Sequence, residues 1–271
     1  MHGSQKRAKI TARRQRRSER PEDHTALLDA VKHEQAAKSG SRHRSFKAPV
    51  IAPLTDAQRR LDGAIFSSTL TFAVGPAGVG KTWLTAARMA EAFVAEDVDR
   101  LIVTRPAAAA GEELGFLPGD LSEKIAPWAK PVYDVFAEIM GSGRLEYELK
   151  AGKIEFSPLG FLRGNTFKRA MVLLDEAQNT TPSQMKLVLT RVGEDCRIIV
   201  DGDLAQKDIP GPSGLDDAMR RLAHVRGVST VRFTTDDIVR SGFCRDVIVA
   251  YDRPAPGPDL SNVSFLRSPA A

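Results

Sequence analysis

Gly75-Pro76-Ala77-Gly78-Val79-Gly80-Lys81-Thr82 separates two glycines by four residues and follows the second with Lys-Thr. Small residues let successive backbone N–H groups curl into a concave nest, and glycine tolerates the positive φ angles such a nest needs. A helix that starts here aims its partly positive N-terminus at the same spot. Lys81 can then reach the outer phosphates of a nucleotide, and the Thr82 hydroxyl can ligate Mg²⁺. The candidate nucleotide-binding residues are therefore Gly75, Pro76, Ala77, Gly78, Val79, Gly80, Lys81, Thr82 and the adjoining Trp83. The flanks agree. Thr69–Val74 is an apolar run of strand length, and Trp83 to about Ala95 has helical periodicity.

A second signature lies downstream. Met171-Val172-Leu173-Leu174 is a buried-strand pattern ending in Asp175-Glu176. An aspartate there can orient Mg²⁺, and the neighbouring glutamate can polarise an attacking water. Two acids at a helix start would be unremarkable by themselves; after a short apolar strand and a phosphate loop they read as Asp175 for metal and Glu176 for catalysis.

The remaining chain alternates strands and helices. Arg100–Thr104, Arg197–Val200 and Thr230–Phe233 read as strands. Helices are expected to start at the caps of Thr55, Asp120 and Thr181, with others over Ser213 to about Leu222 and Ser241–Tyr251. Pro127 and Pro131 are expected to interrupt the helix that begins near Asp120 and resumes to Met140. Residues 144–170 read as a looped insertion with a short strand at Lys153–Phe156. The pattern as a whole predicts an α/β fold, a mainly parallel sheet with helices on both faces. Two further residues have two readings each. Gln58 sits at the capping-box position after Thr55, yet its amide could face an adenine edge. Gln206 follows an Asp-Gly turn at the end of a strand, where it could also sense a γ-phosphate.

The chain has 271 residues, 42% of them hydrophobic, and a net charge of +5. Residues 1–47 hold 13 Lys/Arg against 5 Asp/Glu, so the rest of the chain is mildly acidic. This leader reads as a mostly disordered basic tail, either a salt-sensitive, sequence-blind hold on nucleic-acid phosphates or simply a solvated or vector-derived leader. Residues 48–252 read as the globular domain, and 253–271 as an irregular Pro-rich tail. No apolar run approaches the roughly 18 residues of a membrane span. The two cysteines, Cys196 and Cys244, lack metal-ligand spacing. A cytoplasmic protein without a membrane partner is the expectation.

Taken together, these motifs resemble the PhoH-like (phosphate-starvation-inducible) ATPases, relatives of the superfamily 1 helicase core. The match runs from about Leu54 to Asp252. It is carried by Gly75–Thr82, Thr104-Arg105-Pro106, Gly111-Glu112, Leu114–Leu121, Leu174–Thr181, Gly202-Asp203 with Gln206, and Val239-Arg240. The resemblance implies a RecA-like P-loop NTPase that hydrolyses ATP with Mg²⁺ and works on RNA, with single-stranded RNA as the expected partner. It favours Gln58 as the adenine reader and Gln206 as the γ-phosphate sensor. It makes Arg240, then Arg163, the candidates for an arginine that stabilises charge on the transferred phosphoryl group. Related helicases use two RecA-like domains, whereas this chain offers one phosphate loop. A ring-like homo-oligomer, a hexamer by analogy, is therefore expected, with Arg240 serving a neighbouring subunit. The alternative is a nucleic-acid-binding protein that uses ATP as a slow switch and has no helicase activity. A small-molecule kinase fits less well, because Glu176 beside Asp175 suits activation of water.

Overall fold

The computed structural model describes residues 49–106, 121–162 and 166–252. The two expected tails, the cap at Asp120 and the motif residues between 107 and 120 lie outside the described residues, as does Arg163.

Six strands form one sheet: β1 (Leu70–Val74), β2 (Arg100–Arg105), β3 (Ile154–Pro158), β4 (Ala170–Leu174), β5 (Arg197–Gly202) and β6 (Val228–Arg232). Their order is β3-β2-β4-β5-β1-β6, and every pairing is parallel. The described helices are α1 (Asp56–Ser67), α2 (Lys81–Val94), α3 (Leu121–Met140), α4 (Ser142–Lys150), α5 (Pro182–Leu189), α6 (Gly214–Leu222) and α7 (Gly242–Asp252). This is the α/β, RecA-like P-loop arrangement.

Alternation along the strands explains why they read as unbroken apolar runs. Met171 and Leu173 of β4 pack into one core with α1 to α4, while Ala170, Val172 and Leu174 pack into a second with α5 and α6. Strands covered on both faces have no polar side.

The sheet also sets the site. The chain leaves β1 and crosses to β2, with β4 and β5 lying between them. The ends of β1, β2, β4 and β5 then share one carboxyl edge, where open α/β sheets bind ligands.

Two sequence expectations are corrected. Residues 144–170 are not a looped insertion. They hold most of α4, with Leu145 and Leu149 buried four apart, while the short strand expected at Lys153–Phe156 forms as β3, an edge strand of the sheet. Nor do Pro127 and Pro131 interrupt α3, which runs unbroken to Met140. Each proline forfeits a helical hydrogen bond. Burial of Trp128, Val132, Tyr133 and Phe136 along the same helix, with Trp128 edge-on to Phe156 of β3, outweighs that loss. Gly141, at φ 83°, is the single residue separating α3 from α4.

Candidate nucleotide site

The loop Gly75–Gly80 joins β1 to α2 with φ values of 154° at Gly75, 83° at Gly78 and 82° at Gly80. No side chain caps α2, and its first turn carries no acid. Its leading N–H groups are left to meet an anion. The Lys81 ammonium lies inside the loop, donating to the carbonyls of Gly75 (2.8 Å) and Pro76 (2.9 Å).

Around the loop lies a cavity of 510 Å³. Ala77, Gly78, Gly80, Lys81, Thr82 and Trp83 line it from the loop side, Asp175, Glu176 and Gln206 from the strand ends, and Arg240 from the segment before α7. These candidates, with Ala77 and Arg240 at the two ends of the series, are brought together from four separate stretches of chain. Three of the loop candidates are not on its wall. Gly75 packs against Phe233, Val79 is fully buried, and Pro76 offers Lys81 its carbonyl.

Gln58 meets the local reading, taking up a main-chain N–H beside the cap, and adds a contact to the phosphate loop. Thr55 does cap α1, accepting from the Gln58 N–H at 3.2 Å. The Gln58 amide, however, spans two stretches of main chain. Its Oε1 accepts from the Leu54 N–H (2.6 Å), and its Nε2 donates to the Val79 carbonyl (2.9 Å). Buried in this way, it braces the phosphate loop from behind.

Across the cavity, the Thr82 hydroxyl donates to Asp201 Oδ2 at 2.9 Å and lies 3.4 Å from Asp175 Oδ1. Asp201, at the end of β5, is fully buried, and its Oδ1 has no partner among the described residues. Burial pushes its carboxyl up to about 7, with Lys81 pulling it down and Asp175 pushing it further up. Burial likewise raises the Asp175 carboxyl, against the pull of the Arg105 guanidinium. Two carboxylates, one with an orphaned oxygen, beside a hydroxyl fit the oxygen-only donor set that Mg²⁺ takes when phosphates and water complete its shell.

Glu176 occupies the left-handed region at φ 52°, ψ 40°. That costs a non-glycine residue about 1–2 kcal/mol. Its carboxylate meets the Arg105 guanidinium at 2.9 Å and the Gln178 amide at 2.5 Å. Gln178, almost wholly buried, also accepts from the Asp203 N–H at 3.0 Å. Asp203 in turn accepts from Gln206 Nε2 at 2.9 Å, so one hydrogen-bonded chain links Glu176 to Gln206. Arg240 packs on the loop of its own subunit. A Cβ on Gly78 would lie 3.2 Å from its Cδ, and the adjacent Val239 N–H donates to the Gly78 carbonyl at 3.1 Å.

Sequence reasoning did not assign Arg105, Gln178 or Asp201 to the site. The signal was present for each, since Arg105 ends a predicted strand, Gln178 follows the acidic pair, and Asp201 ends another strand.

The family model described as PhoH-like protein matches residues 50–252. Protein PhoH of Escherichia coli K12 is 44% identical over 248 residues, covering 90% of this chain and 70% of that protein. A PhoH-like protein of Synechocystis is 41% identical, covering 88% of this chain and 76% of its own length. One from Bacillus subtilis is 41% identical over 212 residues, covering 78% and 66% respectively.

Proposed function

The chain belongs to the PhoH-like protein family, and from that premise we propose that it hydrolyses ATP with Mg²⁺ and couples turnover to single-stranded nucleic acid, RNA first. The observation carrying this reading is the Thr82 hydroxyl, bonded to Asp201 and beside Asp175 in the same cavity as the phosphate loop. A bare anion site would need the loop alone. Acids held against it suit a triphosphate bound with a metal ion and cleaved.

In this mechanism the loop amides and the start of α2 bind the phosphates, and Lys81 turns from the loop carbonyls to the outer phosphate oxygens. Thr82, Asp175 and Asp201 would hold Mg²⁺, which when bound offsets charge on the β- and γ-phosphate oxygens. Glu176 orients a water and takes its proton as the water oxygen bonds to the γ-phosphorus. The bond to the bridging oxygen breaks, and ADP carries away the electron pair. Gln206, tied through Asp203 and Gln178 to Glu176, senses the γ-phosphate. Arg240, on the same subunit's loop, offsets charge that develops on the phosphoryl oxygens. Trp83 flanks the nucleotide at the first turn of α2.

The nucleic-acid part of the reading is supported by the basic leader. It is also supported by Arg60, Arg220 and Arg232, which line one cavity beside edge strand β6 together with Asp216, the ion-pair partner of Arg220.

The test is Mg²⁺-dependent ATP turnover with and without single-stranded RNA, in wild type and Lys81→Ala. Wild type should turn over faster with RNA, and Lys81→Ala should lose nucleotide affinity. The molecule's two tryptophans, Trp83 and Trp128, both line the cavity, so their fluorescence reports binding directly. A wild type that binds no adenine nucleotide when magnesium is supplied would end this reading. RNA stimulation without unwinding of an overhanging duplex would favour the slow-switch alternative.

A further inference from the structure

Glu176 has both carboxylate oxygens engaged by protein. Oε2 accepts from Gln178 Nε2, and Oε1 pairs with Arg105 Nη2. Arg105 is the last residue of β2, which lies directly beside β4, the strand that ends just before Asp175 and Glu176. The Asp175 N–H donates to the Thr104 carbonyl at 2.9 Å, so the two strand ends are tied beside the pair. Arg105 is only one-fifth exposed, and its Nε is buried with no partner among the described residues. The only ion pair found for this guanidinium among those residues is the one to Glu176.

We propose that Arg105 is a positioning residue that restrains Glu176, so that hydrolysis is slower while the pair is closed than when it is open. The inference rests on the hydrolytic reading above. Each oxygen of Glu176 keeps a second lone pair for a water, but with one oxygen held by a guanidinium and the other by an amide the carboxylate is fixed in the pose those two partners set. A water that takes Oε1 has to share it with the Arg105 guanidinium, 2.9 Å away. The left-handed backbone at Glu176 fits the same picture. Strained conformations of this kind gather at residues that are held in one pose and used in another. Because β2 carries the restraint, any movement drawing its end away from β4 would raise turnover without new contact to the nucleotide.

The experiment compares kcat at saturating ATP and Mg²⁺ for wild type, Arg105→Ala and Arg105→Lys, each alone and combined with Glu176→Gln. Tryptophan fluorescence gives nucleotide affinity separately. Arg105→Ala should raise kcat roughly threefold to tenfold, the range expected when one ion pair is released. Arg105→Lys, which keeps the charge but loses the planar fork, should fall between the two. It also carries the test if the alanine variant does not fold. Adding Glu176→Gln should abolish the gain. A fall in kcat in both arginine variants would make Arg105 a participant in the transition state, and an unchanged kcat would make the pair purely structural. Either result overturns the restraint. Full turnover by Glu176→Gln in an otherwise wild-type chain would instead overturn the role of Glu176, which separates failure of the parent reading from failure of this one.

Discussion

Gly80 shows how narrowly the loop is defined at the level of single residues. At φ 82° it needs glycine's freedom, and a Cβ there would come within 2.8 Å of Gln58 Nε2, the atom bracing Val79. Gly80→Ala should therefore lose about 1–2 kcal/mol to backbone strain alone, and more as the brace is pushed aside. For a domain of this size that is a fall of roughly 2–8 °C in Tm. Gly63 supplies the internal comparison. It lies within α1 with nothing near its would-be Cβ. Gly63→Ala should stabilise the protein by about 0.5–1 kcal/mol. Calorimetry on both variants checks the pair, and equal shifts of the same sign would refute the argument. The loop itself was legible in the sequence because eight consecutive residues carry it. Arg105, Gln178 and Asp201 were not legible in their roles. Each acts on a partner brought near by strand order, and the adjacency of β2, β4 and β5 appears in no local spacing.

At the level of elements, the sequence was clearest where one periodicity ruled. The apolar strands and the capped helices α1 and α5 formed within a few residues of expectation, and the Thr181 capping box is complete, with Thr181 and Gln184 bonded reciprocally. Polarity misled the reading over 144–170, where scattered charges hid Leu145 and Leu149 at helical spacing. Propensity misled it at α3, where tertiary burial overrides two prolines. That burial has a measurable signature. It pushes the Tyr133 phenol up to about 12 from 10.0, with the charges of Glu146 and Asp134 adding to the rise. The folded state thus holds this proton more tightly than the unfolded chain does. The associated stability is fully present below pH 10 and is lost as pH rises from about 10 toward 12, at no more than about 1.4 kcal/mol per pH unit. Urea unfolding of wild type and Tyr133→Phe across pH 9–11.5 should give a shallower decline for the phenylalanine variant. Parallel declines would show that α3 does not hold the phenol away from water.

For the whole molecule, the question is whether one subunit's site is complete. Sequence reasoning expected Arg240 to serve a neighbour, because a single phosphate loop has no second domain to close on it. Within the subunit, however, Arg240 already lies on Gly78 and lines the same cavity as Lys81 and Glu176. An arginine supplied to the phosphoryl group is worth about 10³–10⁵ in rate elsewhere among phosphate-loop enzymes, so its origin decides what assembly is for. If it comes from the same chain, Glu176→Gln and Arg240→Ala each disable their own site. Mixing the two variants should then give no more than the sum of their separate activities at any ratio, whatever the oligomer. If it comes from a neighbour, mixed assemblies contain some interfaces with an intact glutamate facing an intact arginine. Turnover should then rise to a maximum near equal proportions. The packing of Arg240 on its own loop predicts the flat result. A clear maximum would mean that the arginine leaves Gly78 when subunits assemble, and that the cavity of one chain is only part of the working site.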